Sequence, residues 1–308
     1  MSLVIEGFAG PGGWSEGLKL AGFAGTAVGV EWDWSACKTA TAAGHVRIQA
    51  DVATFPLDHL AGKVDGVIQS PPCPPWSQSG RRLGPADRLG VLQRIDSFAH
   101  GLAPETREWN DPRSHLCAEP MRWAVALQPR WIALEQVPGA LSLWQHIGGH
   151  LETMGYSVAT GVLRCEEYGV PQTRKRAVLV ARLDGKAVLP MPTHCGHGRR
   201  TSHLPPPVTM REAIGWGLAD RPAWTVTGGG TATGGAEVFG NAKCRAQLGG
   251  RRPTPEEAAA LQGFRPDYPF YGETLGKRHQ QIGDAVPPPL AAAILRPLIQ
   301  VETRQEAA

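Results

Sequence analysis

The sequence predicts an α/β fold: a parallel sheet wrapped by crossover helices, followed by a smaller second unit. Three observations carry that expectation. Short apolar runs alternate with helical patterns as far as Arg182, the rhythm of repeated strand, helix, strand units. A glycine-rich turn, Gly10-Pro11-Gly12-Gly13, follows the first apolar run. Composition then changes at Leu189-Pro190-Met191-Pro192, where a hinge into the second unit is expected.

The elements follow in order. The chain opens on the apolar strand Leu3-Val4-Ile5, and helical spacing begins after the glycines over 14–20. A second strand over 25–30 delivers Glu31-Trp32-Asp33, with a helix over 34–43. Residues 46–49 read as a strand leading to Asp51, and 64–68 as another leading to Pro71-Pro72-Cys73-Pro74. Helices are expected over 113–127 and 143–154, around a strand at 131–134, and a last helix over 289–299. The stretch 78–110 is expected to be a mobile loop hinged at Gly80, Gly84, Gly90 and Gly101. Leu89, Leu92, Ile95 and Phe98 share helical spacing, however, and admit a packed helix instead. Residues 224–230 read either as a strand entering a glycine loop or as a plain surface turn.

Several of these residues carry chemistry. Glycine in the first turn lets backbone amides at a helix N-terminus approach a nucleotide closely. Glu31, ending the second strand, can accept hydrogen bonds from a ribose, and Trp32 can stack on an adenine. The plainer alternative makes Asp33 a helix cap and Glu31 a surface acid. Cys73 sits on a loop stiffened by prolines, a poor place for a core thiol and a good one for a nucleophile, although an unpaired cysteine is more often a small buried hydrophobe.

Taken with Cys73, the chain resembles the DNA (cytosine-5) methyltransferase family, and its remaining blocks stand in that family's order. Phe8-Ala9-Gly10-Pro11-Gly12-Gly13 matches the first motif, Glu31-Trp32 the second, and Asp51 with Val52 the third. Pro71-Pro72-Cys73 with Trp76-Ser77 resembles the catalytic motif, Glu135-Gln136-Val137 its Glu-Asn-Val, and Gln172-Thr173-Arg174-Lys175-Arg176 its Gln-x-Arg-x-Arg. Leu261-Gln262-Gly263-Phe264 and Ile282-Gly283-Asp284-Ala285-Val286-Pro287 resemble the last two blocks. Three positions depart from the pattern: Pro74 replaces a glutamine, and Gln136 and Asp284 replace asparagines.

The resemblance implies a Rossmann-like S-adenosylmethionine-dependent methyltransferase sheet with a small target-recognition domain. Residues 1–186 would be the catalytic and cofactor-binding domain, 187–277 the recognition domain, and 278–308 a segment returning to the first. Cys73 would add to carbon 6 of cytosine, because carbon 5 is too electron-poor to take a methyl group unaided. Glu135 would serve ring nitrogen 3, Arg176 would hold the base and orient Glu135, and Arg174 would face phosphate. The cofactor would lie among Phe8, Gly10, Gly12, Gly13, Glu31, Trp32, Asp51, Val52, Pro71, Asp284, Ala285 and Val286. Pro72, Ser77, Arg81, Arg82 and Gln172 would meet the substrate, double-stranded DNA with its target base flipped out. The same fold leaves open a transfer-RNA cytosine methyltransferase or a silent DNA-binding relative. A restriction enzyme partner is possible, and a monomer is expected.

Composition bounds these readings. With 31 Lys and Arg against 28 Asp and Glu, the net charge of +3 is not that of a strongly basic chain. The DNA reading therefore rests on local clusters: Arg81-Arg82, Arg174 to Arg176, Arg199-Arg200 and Arg251-Arg252. No signal peptide and no apolar run long enough for a membrane span is found, and the six cysteines fit no disulfide framework, so a reduced cytoplasmic setting is expected. Thr193-His194-Cys195-Gly196-His197 with His203 fits no common four-ligand zinc spacing, and no metal is expected. A nicotinamide enzyme would account for the first 35 residues but would leave Cys73 without a role.

Overall fold

The computed structural model describes residues 2–72, 84–199, 203–228 and 250–299. Cys73, Pro74, Ser77, Arg81, Arg82 and Arg200 lie outside the described residues. The seven described strands are β1 Leu3–Gly7, β2 Thr26–Glu31, β3 Val46–Gln49, β4 Gly66–Gln69, β5 Trp131–Gln136, β6 Ser157–Arg164 and β7 Lys175–Arg182. The described helices are α1 Gly13–Ala21, α2 Trp34–Ala42, α3 Gly84–Ala99, α4 Glu119–Leu127, α5 Leu141–Thr153, α6 Met210–Ile214, α7 Pro255–Leu261, α8 Leu275–Asp284 and α9 Pro288–Ile299.

One sheet runs in the order β3-β2-β1-β4-β5-β7-β6. β1 to β5 pair in parallel, while β7 is antiparallel to both its neighbours. The wholly parallel sheet expected from the alternating pattern is thus corrected to a mixed one. The reason lies in the short connection 165–174 between β6 and β7, which has no room for a crossover helix and can only return the chain antiparallel.

β5 is buried along its whole length, and its side chains alternate between the two faces. Trp131 and Ala133 pack with Val4, Trp14 and Leu18 beneath α1 and α9; Ile132 and Leu134 pack with Val91, Ile95, Met121, Trp144 and Ile147 beneath α3, α4 and α5. Each such aliphatic or aromatic side chain taken from water contributes about 1.5–3 kcal/mol, so this central strand anchors both layers. α9 lies directly against α1: a Cβ at Gly17 would stand 2.4 Å from Ala291 Cβ, so only glycine allows this approach.

In its described part, 84–110, the stretch expected to be a mobile loop is instead an ordered helix and its return. Val91 and Ile95 are fully buried and Phe98 nearly so, because their spacing places them on the one face that meets α4 and α5. Gly90 is no hinge, since a Cβ there would run into the Arg107 guanidinium. Trp109 is half-buried against the same cluster.

A further core gathers Met210, Ala223, Val226, Ala258, Leu261, Phe264 and Ile282, with Ala43 at the end of α2 packed among them. Capping boxes start α6 (Thr209 with Glu212) and α7 (Thr254 with Glu257). Residues 224–228 are no strand: one bridge joins Ala223 to Gln172, and Gly228 then packs on the end of α8, where a Cβ at Gly283 would stand 2.0 Å from Gly228 N.

Candidate active site

β1 ends in a turn that demands unusual backbone. Gly10 (φ 53°) and Gly12 (φ 111°) lie in the left-handed region, and so does Phe8 (φ 55°), which a bulky residue adopts only under constraint. The constraint is visible. Gly10 N–H donates to Glu31 Oε2 (2.8 Å), and Asp33 N–H to Glu31 Oε1 (2.8 Å), so the acid ending β2 ties the turn to the next strand. Desolvation raises the Glu31 pKa, and the amides of Asp33 and Gly10 offset this only in part. Asp33 caps α2 by accepting from Ala36 N–H (2.8 Å), so the plainer reading holds for Asp33 but not for Glu31. Beneath the turn, Ser15 Oγ donates to the buried Glu6 carboxylate (2.8 Å), and Arg47 Nη2 donates to Ser15 Oγ (2.8 Å).

Phe8 to Gly13, Glu31-Trp32, Asp51 and Pro71 follow the carboxyl ends of β1, β2, β3 and β4, four neighbours in the sheet. The chain winds outward from β1 through β2 to β3 and in the other direction through β4 to β5. Ligands of open α/β sheets settle at such a reversal. Trp32 is 76% exposed and Asp51 is exposed, both available to a nucleoside. The Val52 side chain is buried with Leu57 and Trp123, and its carbonyl accepts from Trp123 Nε1 (3.3 Å), so that side chain supports the site from below. Across the turn, a Cβ at Gly13 would stand 2.1 Å from Val286 O and one at Gly12 2.4 Å from Tyr268 Oη. Ala285 and Val286 are buried, with Val286 joining Trp14 in the core. Gly10, with nothing within 4 Å of where a Cβ would stand, leaves open backbone beside the exposed Trp32 and Asp51, a cradle that fits an adenosine-containing cofactor.

The approach to Cys73 is fastened residue by residue. Trp14 Nε1 donates to Ser70 Oγ (2.9 Å), Gln136 Nε2 to Pro71 O (2.6 Å), and Cys117 Sγ to Pro72 O (3.5 Å). Gln136, longer than the asparagine it replaces, thus reaches across from β5 to the proline segment.

Glu135 stands near the carboxyl end of β5, directly opposite Val178 of β7. Arg176, two residues from Val178, therefore lies diagonally on the same face. Arg176 Nε meets Glu135 Oε1 at 2.6 Å, with both side chains largely buried. Arg174 and Gln172 are corrected. Arg174 does not face phosphate: it is 2% exposed, and Nη1 donates to Val226 O (3.1 Å) and Gly283 O (2.9 Å). Desolvation, then the neighbouring Arg176, bring its pKa down to about 9. Gln172 is fully buried. Its amide donates to Leu261 O (2.8 Å) and Gln262 Oε1 (2.6 Å), and its Oε1 accepts from Val226 N–H (3.0 Å), so it bolts the sheet to the smaller unit rather than touching substrate.

Asp284 ends α8 facing a cluster of guanidinium groups. Its side chain is open to solvent yet walled by protein. Desolvation raises its pKa, with Arg174, Arg176 and Arg113 and a hydrogen bond to Gln280 opposing the rise. It adjoins Gly228 as well, where a Cβ would stand 3.2 Å from its Oδ1.

With this geometry the comparisons agree. The family model of C-5 cytosine-specific DNA methylases matches residues 3–94, 101–194 and 209–300, most of the chain. The chain belongs to the C-5 cytosine-specific DNA methylases. It is a DNA cytosine-5 methyltransferase, and S-adenosylmethionine is its methyl donor. Similar proteins include the type II methyltransferase M1.HphI of Haemophilus parahaemolyticus, 29% identical over 99% of this chain and 89% of the relative. Another is M.NaeI of Lentzea aerocolonigenes, 31% identical over 94% of this chain and 73% of the relative. The fold is shared with the Entamoeba histolytica methyltransferase EhMeth (TM-score 0.68, 16% identity, covering 98% of this chain and 99% of that one). It is shared equally with the S. pombe Dnmt2 methyltransferase (TM-score 0.67, 17% identity, covering 97% and 99%).

Motif spacing did not indicate Cys117, Trp14 or Glu6 as parts of this site. Only Glu6 left a signal, an acid in the middle of an apolar strand. Trp14 and Cys117 act through contacts that arise only when distant segments pack.

Proposed function

We propose that this methyltransferase acts on double-stranded DNA through a covalent Cys73 adduct to a flipped-out cytosine, as the modifying member of a restriction-modification pair. The observation that best supports the reading is the Glu135–Arg176 ion pair at the end of β5, beside the proline segment that leads to Cys73. The Cys73 thiolate adds to carbon 6 of the base, and the electron pair moves towards carbon 5. Glu135 supplies the proton at ring nitrogen 3 that accepts this charge, and Arg176 holds the carboxyl group in place. The Pro72 carbonyl, which has a second lone pair besides the one met by Cys117, accepts from the exocyclic amine and tells cytosine from thymine. The bound cofactor supplies a methyl group to carbon 5; loss of the carbon 5 proton then expels the Cys73 thiolate. Glu31, Trp32, Asp51 and the glycine turn hold the nucleoside part of the cofactor, with Pro71 and Ala285-Val286 closing the cradle. In this reading 1–186 is the catalytic domain, 187–277 recognises the target, and 278–308 returns to complete the cofactor site; Ser77, Arg81 and Arg82 meet DNA.

Methylation sequencing of DNA from a host expressing the protein tests this. One short sequence motif should carry 5-methylcytosine, and expression of Cys73→Ser should leave it unmodified, because a hydroxyl near neutral pH is a far weaker nucleophile than a thiolate. Undiminished modification by Cys73→Ser would refute the mechanism.

A further inference from the structure

Away from the methyl-transfer site, three side chains from two helices converge on one point. His146 and His150 stand one turn apart on α5, so both rings project from one face. Asp96 of α3 lies opposite, with its Oδ1 2.7 Å from His146 Nε2 and 2.8 Å from His150 Nε2. The three potential ligand atoms all lie within 4.8 Å of one another, and all three residues are half-buried. His100 packs edge-on to His150 (5.9 Å between ring centroids) with its Nδ1 2.7 Å from Asp96 O, bracing the arrangement from the side. Methyl transfer uses none of these groups.

We propose that Asp96, His146 and His150 bind one divalent transition ion, Zn2+ by chemical preference, that staples α3 to α5. Two imidazoles and one carboxylate with no sulfur form a donor set suited to Zn2+, Co2+ or Ni2+ rather than to Mg2+ or Ca2+. The helix spacing of the two histidines sets both Nε2 atoms towards a common centre. Ligand atoms around a tetrahedral ion with bonds of about 2.0–2.1 Å lie roughly 3.4 Å apart. The present contacts must therefore open by little more than half an ångström, which the partly exposed rings of His146 (34%) and His150 (21%) can accommodate. An ion bound at the two Nε2 atoms takes their lone pairs, which requires each neutral imidazole to carry its proton on Nδ1. Water completes the coordination on the exposed side. Because the ligands are about fifty residues apart in sequence, the site exists only when α3 is docked on α5, so the ion stabilises that docking.

The test is titration of the metal-stripped full-length protein with Zn2+ by calorimetry, with Co2+ as a spectroscopic probe. One Zn2+ per chain should bind, the thermal midpoint should rise with the logarithm of Zn2+ concentration, and Co2+ should give the visible bands of a low-coordinate nitrogen and oxygen site. Affinity should fall at least tenfold in His146→Ala and in Asp96→Asn, and should be retained in Cys73→Ser, which separates this site from thiol binding. His150→Gln, which keeps size and polarity, covers the case in which an alanine variant fails to fold. Absence of binding by the unaltered protein, or equal Zn2+ affinity in the histidine and aspartate variants, would overturn the proposal; neither result bears on the methyltransferase reading.

Discussion

Arg176 and Glu135 act as a unit at the scale of single residues, since the carboxyl group is placed by the guanidinium it touches at 2.6 Å. Glu135→Gln should lower the rate of methyl transfer by about 10²–10⁴-fold, the usual worth of a positioned proton donor, with cofactor binding little changed. Single-turnover assays with tritiated cofactor, alongside cofactor titration, measure both quantities. Asp284 has a different signature. Its folded-state pKa is raised, so its protonated form is favoured by folding, and that contribution is lost as pH rises through the folded pKa. Asp284→Asn removes the loss. The variant should melt no lower than the original protein at pH 7–8, with any advantage shrinking as pH falls towards about 4; a large drop in melting temperature at neutral pH would show instead that the Asp284 charge is needed by Arg174 and Arg176. The acids and arginines of the site were legible because chemistry dictates their types. Their environments were not: Arg174 and Arg176 stand two residues apart, Arg176 within β7 and Arg174 just before it, and only packing decides that one is sealed against Val226 and Gly283 while the other meets Glu135.

Among the elements, α3 is the one whose reading changed most. The spacing of Leu89, Leu92, Ile95 and Phe98 did contain the helix, while the glycines and arginines around it suggested an open loop; the buried face decided for the helix, and Leu89 alone of these was left 65% exposed. Its first turn is held by Asp87, which accepts from Asn110 N–H, Asn110 Nδ2, Asp111 N–H and Ser114 Oγ. Burial raises the Asp87 pKa, but hydrogen bonds from Ser114, Asp111 and Asn110 outweigh it and leave the group at about 2. The stabilisation is therefore complete above the ordinary aspartate pKa of about 4 and is lost as pH falls through about 2. Asp87→Ala should cost about 2–4 kcal/mol at neutral pH, because several buried donors are stranded at once, and the deficit should narrow in acid. Chemical denaturation at pH 7 and pH 3 measures it. The direction of β7 was not legible, because an apolar run has the same pattern whichever way it points; only the short 165–174 connection carried that information.

For the whole molecule, the order of motifs along the chain anticipated which segments meet. Segments more than 250 residues apart come together at the first turn: Val286 O lies against Gly13, and Tyr268 Oη donates to Pro11 O. Gln172 and Arg174 tie Val226, Leu261, Gln262 and Gly283 to the sheet, a role invisible in sequence because both residues sit in a motif that reads as substrate-facing. In the proposed mechanism the whole assembly serves to present Cys73 to carbon 6 of a cytosine. The most direct measurement uses duplex DNA in which 5-fluorocytosine replaces cytosine at the methylated position, since a fluorine at carbon 5 cannot leave as a proton does. Incubated with S-adenosylmethionine, the protein should form a denaturant-resistant complex with that DNA, its mass equal to protein plus methylated oligonucleotide and its cross-link mapping to Cys73, and Cys73→Ser should form none. Full methyl transfer to ordinary DNA with no trapped complex on the fluorinated duplex, or a complex that persists in Cys73→Ser, would contradict it.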